Sequence, residues 1–178
     1  MALTATVYNF RIDLTDMDRG VYETMDLRMA QQPSESIEYL LMRLIAYCLE
    51  YQEGILLTEG VAAGNEPAVL VRDLTGKVTA WIEVGMPDAE RLHRGMKLAG
   101  RAAVYTHRDV RKLLAQLTAG KIHKAKAIPI YALDRTFVDN VAACLERRSE
   151  ISMSITDREL YLHIAGKDFT TVIAEHRI

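Results

Sequence analysis

The stretch from Asn65 to Gly85, NEPAVLVRDLTGKVTAWIEVG, carries one glutamate near each end, Glu66 and Glu83. Alternating apolar residues on either side of Asp73 to Gly76 predict two strands joined by a tight turn. Successive side chains of a strand point to opposite faces, so Ala68, Leu70 and Arg72 share one face and Trp81 and Glu83 share another. With the turn centred on Leu74 and Thr75, Ala68 pairs with Trp81 and Glu66 with Glu83, which puts both carboxylates on one face. Like charges directly across a ladder destabilise it unless something neutralises them. A hard cation does so, since magnesium takes one or two protein carboxylates and keeps several waters. A basic side chain is the other solution. Arg91, Arg94 and Lys97 are nearest in sequence, and Arg94 and Lys97, three apart on a helix, share a face. Glu38 is a candidate third acid. The plain structural alternative is a pair of solvated or salt-bridged glutamates at a hairpin end.

Other elements must position that hairpin. Tyr8 to Leu14 and Met25 to Met29 alternate as two strands, with TDMDRG between them as a turn. Pro33 and Ser34 open a helix through about Tyr51, whose apolar stripe is Ile37, Leu40, Leu41, Leu44, Ile45 and Cys48. Residues 55 to 58 form a short strand, followed by the small-residue loop EGVAAGNEP. Pro87 starts another helix, with Asp88 and Glu90 in its first turn where carboxylates suit the positive end. Beyond Gly100 come strand AAVYTH, a helix from Asp109 to Thr118, strand AIPIYAL, a helix from Arg135 to Arg147, and two or three further strands with a turn at Thr156 to Arg158. This order predicts an α/β chain of mixed α+β character: one domain over residues 1–178, with a central mixed sheet flanked by helices and hairpins near both ends.

A net charge of −2 gives no global attraction to nucleic acid, so a polyanion site needs a local basic patch. RLHRGMK and KIHKAK are the candidates. Trp81 is expected to pack rather than to stack on a base. Cys48 and Cys144 fall among apolar residues on predicted helices and are expected to be buried thiols. His93, His107, His123 and His163 lie on separate elements without metal-motif spacing, and no serine has a nucleophile-elbow context. No basic leader with a long apolar run and no stretch of 18 apolar residues occurs, so the expectation is a cytoplasmic protein with no membrane contact.

PSESIEYLLMRLIAYCLEY, EGVAAGNEPAVLVRDLTGKVTAWIEVGMPDAERLH and AAVYTH, in that order, resemble the YaeQ family of bacterial proteins. The resemblance runs essentially end to end, and NEP followed by WIEVGMP and ERLH is its specific part. It implies a sheet and helix arrangement similar to the PD-(D/E)XK nuclease superfamily, the restriction-endonuclease-like fold. In that superfamily a proline and an acid begin one strand, and the next carries acid, any residue, lysine. The acids hold magnesium and the lysine stabilises charge on the phosphate. Here Pro67 falls at the proline, Ala68 at the first acid, Glu83 at the second acid and Gly85 at the lysine. The implied activity is a magnesium-dependent nuclease or phosphodiesterase with an altered centre. Glu66 and Glu83 would bind the metal with help from Glu38, and Arg94 or Lys97 would stand in for the lysine. The alternative is a scaffold that has lost the chemistry and binds nucleic acid or another protein.

Overall fold

The computed structural model describes residues 4–60 and 64–178, so the predicted small-residue loop lies partly outside the described residues. β1 (Thr6–Asp16) and β2 (Val21–Gln31) pair antiparallel without a slip from Thr6↔Gln31 to Asp16↔Val21. Their predicted alternation is real: Phe10, Ile12 and Leu14 are buried while Arg11 and Asp13 are exposed. α1 (Ile37–Leu49) begins later than predicted, because the Ser36 hydroxyl accepts from the Tyr39 N–H and sets the first turn there. After β3 (Ile55–Leu57) and the hairpin of β4 (Val69–Arg72) and β5 (Val78–Val84), strands and helices alternate. They are α2 (Ala89–Ala99), β6 (Ala102–Thr106), α3 (Val110–Thr118), β7 (Pro129–Ala132) and α4 (Arg135–Ala142). Asp88, Asp109 and Asp134 each cap the helix that follows, accepting from its first-turn N–H groups.

α4 stops at Ala142 rather than Arg147, because Cys144 and Leu145 turn back to the Val141 and Ala142 carbonyls and the chain re-extends into β8 (Arg148–Thr156). β9 (Glu159–Ile164), β10 (Lys167–Val172) and β11 (Ala174–Arg177) follow, one strand more than the sequence predicts. Cys144 therefore lies beyond the helix and is only partly buried, whereas Cys48 is fully buried.

The chain is mixed α/β as expected, but its strands form two mixed sheets in place of one. Five strands run in the order β10-β9-β8-β1-β2 and six in the order β11-β7-β6-β5-β4-β3. The terminal hairpins do not border the central sheet; β1 pairs with β8 in parallel, from Asn9↔Arg148 to Asp16↔Ile155, and closes a sheet of their own. Leu40 to Ala46 of α1 are all buried, as a helix enclosed on every side must be. One core joins α1 and α4 to the inner face of the first sheet and to Val69, Val71, Ile82 and Val84 of the second. A second core, on the other face of the six-stranded sheet, packs Trp81, Val104 and Ile130 under Leu92 and Met96 of α2 and Leu113 and Leu117 of α3. β5, β6 and β7 are parallel, which brings the starts of α2, α3 and α4 to the strands' carboxyl ends.

No helix among the described residues is long and apolar enough to cross a membrane. Trp81 packs as expected, and it does so on a glycine: a Cβ at Gly95 would lie 2.3 Å from the Trp81 Cγ. Gly95→Ala should therefore force α2 off the sheet and cost about 2 kcal/mol, an overpacking penalty. A lowered urea midpoint with an unchanged slope measures it.

Candidate functional site

Glu83 stands one residue before the end of β5, on the Trp81 face of the strand, and is almost fully buried. Its Oε1 accepts from the Trp81 indole N–H at 2.8 Å and from the Arg91 Nε at 3.0 Å, while Oε2 takes the Arg91 Nη2 at 3.4 Å. Strand parity makes Trp81 and Glu83 neighbours on one face, and the first turn of α2 delivers Arg91 because Asp88 anchors that residue's N–H at 2.8 Å. The rest of the guanidinium is also engaged, donating from Nη1 to the Gly64 carbonyl at 3.0 Å and from Nη2 to the Glu66 carbonyl at 2.7 Å. Arg91 thus pins the segment before β4 across the end of β5.

Burial pushes the Glu83 carboxyl above its ordinary value, against the pull of the Arg91 charge and the hydrogen bonds from Arg91 and Trp81. Tyr39, from the first turn of α1, lies over Gly85 and beside Glu83, and burial followed by the Glu83 charge raises its phenol. A crevice of about 330 Å³ opens here, lined by Tyr39, Ala68, Glu83, Asp88 and Arg91 among others.

The hairpin register differs from the predicted one by two residues. Trp81 pairs with Leu70, not Ala68, and Val69 with Ile82, where the ladder ends; extending that register by one residue sets Ala68, not Glu66, opposite Glu83, and both line the same crevice. Asp73 moves the turn: its Oδ1 gathers the Thr75 N–H, the Thr75 hydroxyl and the Lys77 N–H, Gly76 takes a left-handed φ of +84°, and the ladder shifts at Val71/Arg72. A slip of two preserves the face of every side chain, which is why the shared face survives while the partner changes.

The other predicted site residues are dispersed. Glu66 is exposed and lies ahead of β4, contributing only its carbonyl to the Arg91 contact. Arg94 is exposed and reaches the Asn65 side chain at 3.3 Å, and Lys97 is exposed in the last turn of α2. Glu38 is half-buried in the first turn of α1, where its charge acts on His107. Arg91 is the cation on Glu83. Gly85 at the lysine position has a φ of +85° and Tyr39 against it, so no side chain reaches out from there. The donors expected for magnesium are altered: Glu83 is already hydrogen-bonded on both oxygens and Ala68 supplies no carboxylate. Tyr39 is the neighbour that sequence reasoning missed, because only the packing of α1 on β5 brings it there.

The whole-chain pattern of these elements is shared with known proteins. The family model for "YaeQ protein" matches residues 1–173. The chain belongs to the YaeQ family. It is 28% identical over 163 residues to the uncharacterised protein YaeQ of Escherichia coli K12, covering 91% of this chain and 90% of that one. The crystal structure of the YaeQ protein from Pseudomonas syringae matches with a TM-score of 0.90 at 28% identity, covering 96% of this chain and 95% of the other. That of the YaeQ protein from Xanthomonas axonopodis pv. citri gives 0.87 at 26% identity, covering 98% and 99%.

Arg91→Ala leaves a buried carboxylate without its cation and should cost about 3 kcal/mol at pH 7. Removing a group that lowers the Glu83 pKa raises that pKa further. Folded Glu83 then keeps its proton while the unfolded chain loses it, near 4.5, so the deficit should shrink as pH falls toward 4.5. Urea unfolding of both proteins at pH 7 and pH 5 measures the difference.

Proposed function

We propose that this YaeQ-family chain is a nuclease-like scaffold, similar in arrangement to PD-(D/E)XK proteins, that binds nucleic acid without metal-dependent cleavage. The observation that carries the reading is the Arg91 guanidinium on Glu83: the remaining acid of the expected centre is neutralised from within the fold. Ala68 and Gly85 leave the other two positions without a carboxylate or an amine. Binding to a polyanion draws on a separate feature. The His123 N–H donates to His93 Nδ1 at 3.1 Å, and Gly120 packs on Ala89, so the predicted basic segments RLHRGMK and KIHKAK lie side by side. Exposed Arg94 and Lys97 on α2 and exposed Lys121 and Lys124 on the adjoining loop then form one basic ridge. Such a ridge holds phosphates by charge and reads no sequence.

Two measurements on the intact protein test this. Calorimetry should give no saturable heat with magnesium or manganese, and binding to a short duplex or single strand should weaken steeply with salt. Replacing Arg94, Lys97, Lys121 and Lys124 together by alanine should flatten that salt slope by about 3. Saturable magnesium binding that vanishes in Glu83→Gln would overturn the reading in favour of a metal-dependent phosphodiesterase. Salt-independent retention of a protein partner, with no affinity for nucleic acid, would make the scaffold a protein-binding module instead.

A further inference from the structure

The outer face of the five-stranded sheet carries a row of polar side chains that the Glu83 site does not use. Ser152 on β8 is the ladder partner of His163 on β9, and His163 is the ladder partner of Asp168 on β10. Their flanking residues Ile151, Met153, Leu162 and Ile164 are buried, so strand alternation turns Ser152 and His163 outward. His163 Nδ1 lies 2.7 Å from the Asp168 Oδ1. A carboxylate only accepts, so the ring donates from Nδ1 and presents Nε2 on the side away from Asp168. Ladder neighbours have Cβ atoms about 5 Å apart, which places the exposed Ser152 hydroxyl on the same face as the His163 ring. Asp13, on the other flank of Ser152, already accepts the Thr24 hydroxyl at 2.8 Å.

We propose that Ser152, His163 and Asp168 form a nucleophile, a general base and a positioning residue for hydrolysis of small carboxylic esters. Two hollows meet at Ser152 and His163. One of about 490 Å³ also touches Tyr161 and Phe169 and suits an apolar acyl group; the other, of about 420 Å³, touches Arg11 and Arg148 together with Asp13, Glu146 and Glu150 and suits a polar, uncharged alcohol portion. The Ser152 Oγ attacks the ester carbonyl carbon as its proton passes to His163 Nε2. The tetrahedral intermediate collapses with cleavage of the C–O bond, and that proton leaves with the departing alkoxide as the alcohol. Water then attacks the acyl-serine, gives its proton to Nε2, and releases the carboxylic acid as Ser152 is reprotonated. The site is open to solvent, so water reaches the acyl-serine, and the acceleration expected from the base alone is about 10²–10⁴-fold.

This inference is independent of the nucleic-acid reading, since it concerns the other sheet. The test is phosphonylation of the intact protein by a fluorophosphonate, mapped by peptide mass spectrometry, with p-nitrophenyl acetate turnover followed across pH. Label on Ser152 is expected, absent in Ser152→Ala and formed about 10²-fold more slowly in His163→Ala. Asp168→Asn should lower kcat with little change in KM and move the acid limb of the pH profile. The ring is faced by Asp168 from β10, by Tyr161 on its own strand, by Asp13 and Arg11 on β1, by Glu150 and Arg148 on β8, and by Glu146 just before β8. All three side chains project from the surface, so circular dichroism should show the variants folded. No label on Ser152, or a labelling rate indifferent to His163→Ala, would overturn the proposal.

Discussion

The hardest group to place in this molecule is the Arg43 guanidinium, which lies at the centre of α1 with 1% of its side chain exposed. A buried cation is tolerated only where hydrogen bonds and an opposite charge replace its water. Arg43 finds Glu35 at 3.1 Å, the Ala30 carbonyl at the end of β2, and the Thr58 carbonyl just past β3 at 2.6 Å. Those three partners come from the first sheet, from the entry to α1, and from the second sheet. The ion pair therefore fixes how the helix sits between two layers that share no strand. Gly60 has no room for a side chain beside it, since a Cβ there would lie 2.0 Å from the Glu35 Oε1.

From that fixed point the candidate site follows by short steps. Thr58 gives its hydroxyl to the Pro67 carbonyl at 2.7 Å, which sets the entry to β4 and so brings Ala68 beside Glu83. Arg91 meets the same segment from the other side through Gly64 and Glu66. Two arginines, one deep and one at the rim, thus hold Thr58 on one side and Gly64 and Glu66 on the other. The rim arginine also neutralises the one acid that the fold buries there.

Much of this was legible in the residues, and the exceptions share a cause. Alternation in Tyr8 to Leu14 and the apolar stripe of α1 act within a few residues and appear where the pattern places them, while α2 starts at Ala89 rather than Pro87 because Asp88 caps it from outside the first turn. The common face of Trp81 and Glu83 follows from parity alone. The partner of Glu83 does not, because it depends on how Asp73 folds its own turn and on which turn of α2 crosses the strand end. Arg91, Arg94 and Lys97 were all candidates on one following helix, and only packing separates them. The two-sheet division was invisible for a related reason: nothing local in β1 announces that its neighbour is β8. Ser152, His163 and Asp168 are lined up by the two local hairpins of β8, β9 and β10, whose exact register the alternation alone does not give.

The parallel pairing of β1 with β8 has a temporal consequence. Asn9 must wait for Arg148 before its strand gains its second neighbour. At a synthesis rate of roughly 5–20 residues per second, the first hairpin is made about ten seconds before that neighbour emerges. Throughout that interval Phe10, Ile12 and Leu14 have no sheet to complete and no full core to enter, and β1 presents an open edge. Nascent chains of this protein are thus most exposed to misassociation at the amino terminus, early in synthesis, and the segment from Arg148 onward works as the closing piece that makes the beginning safe.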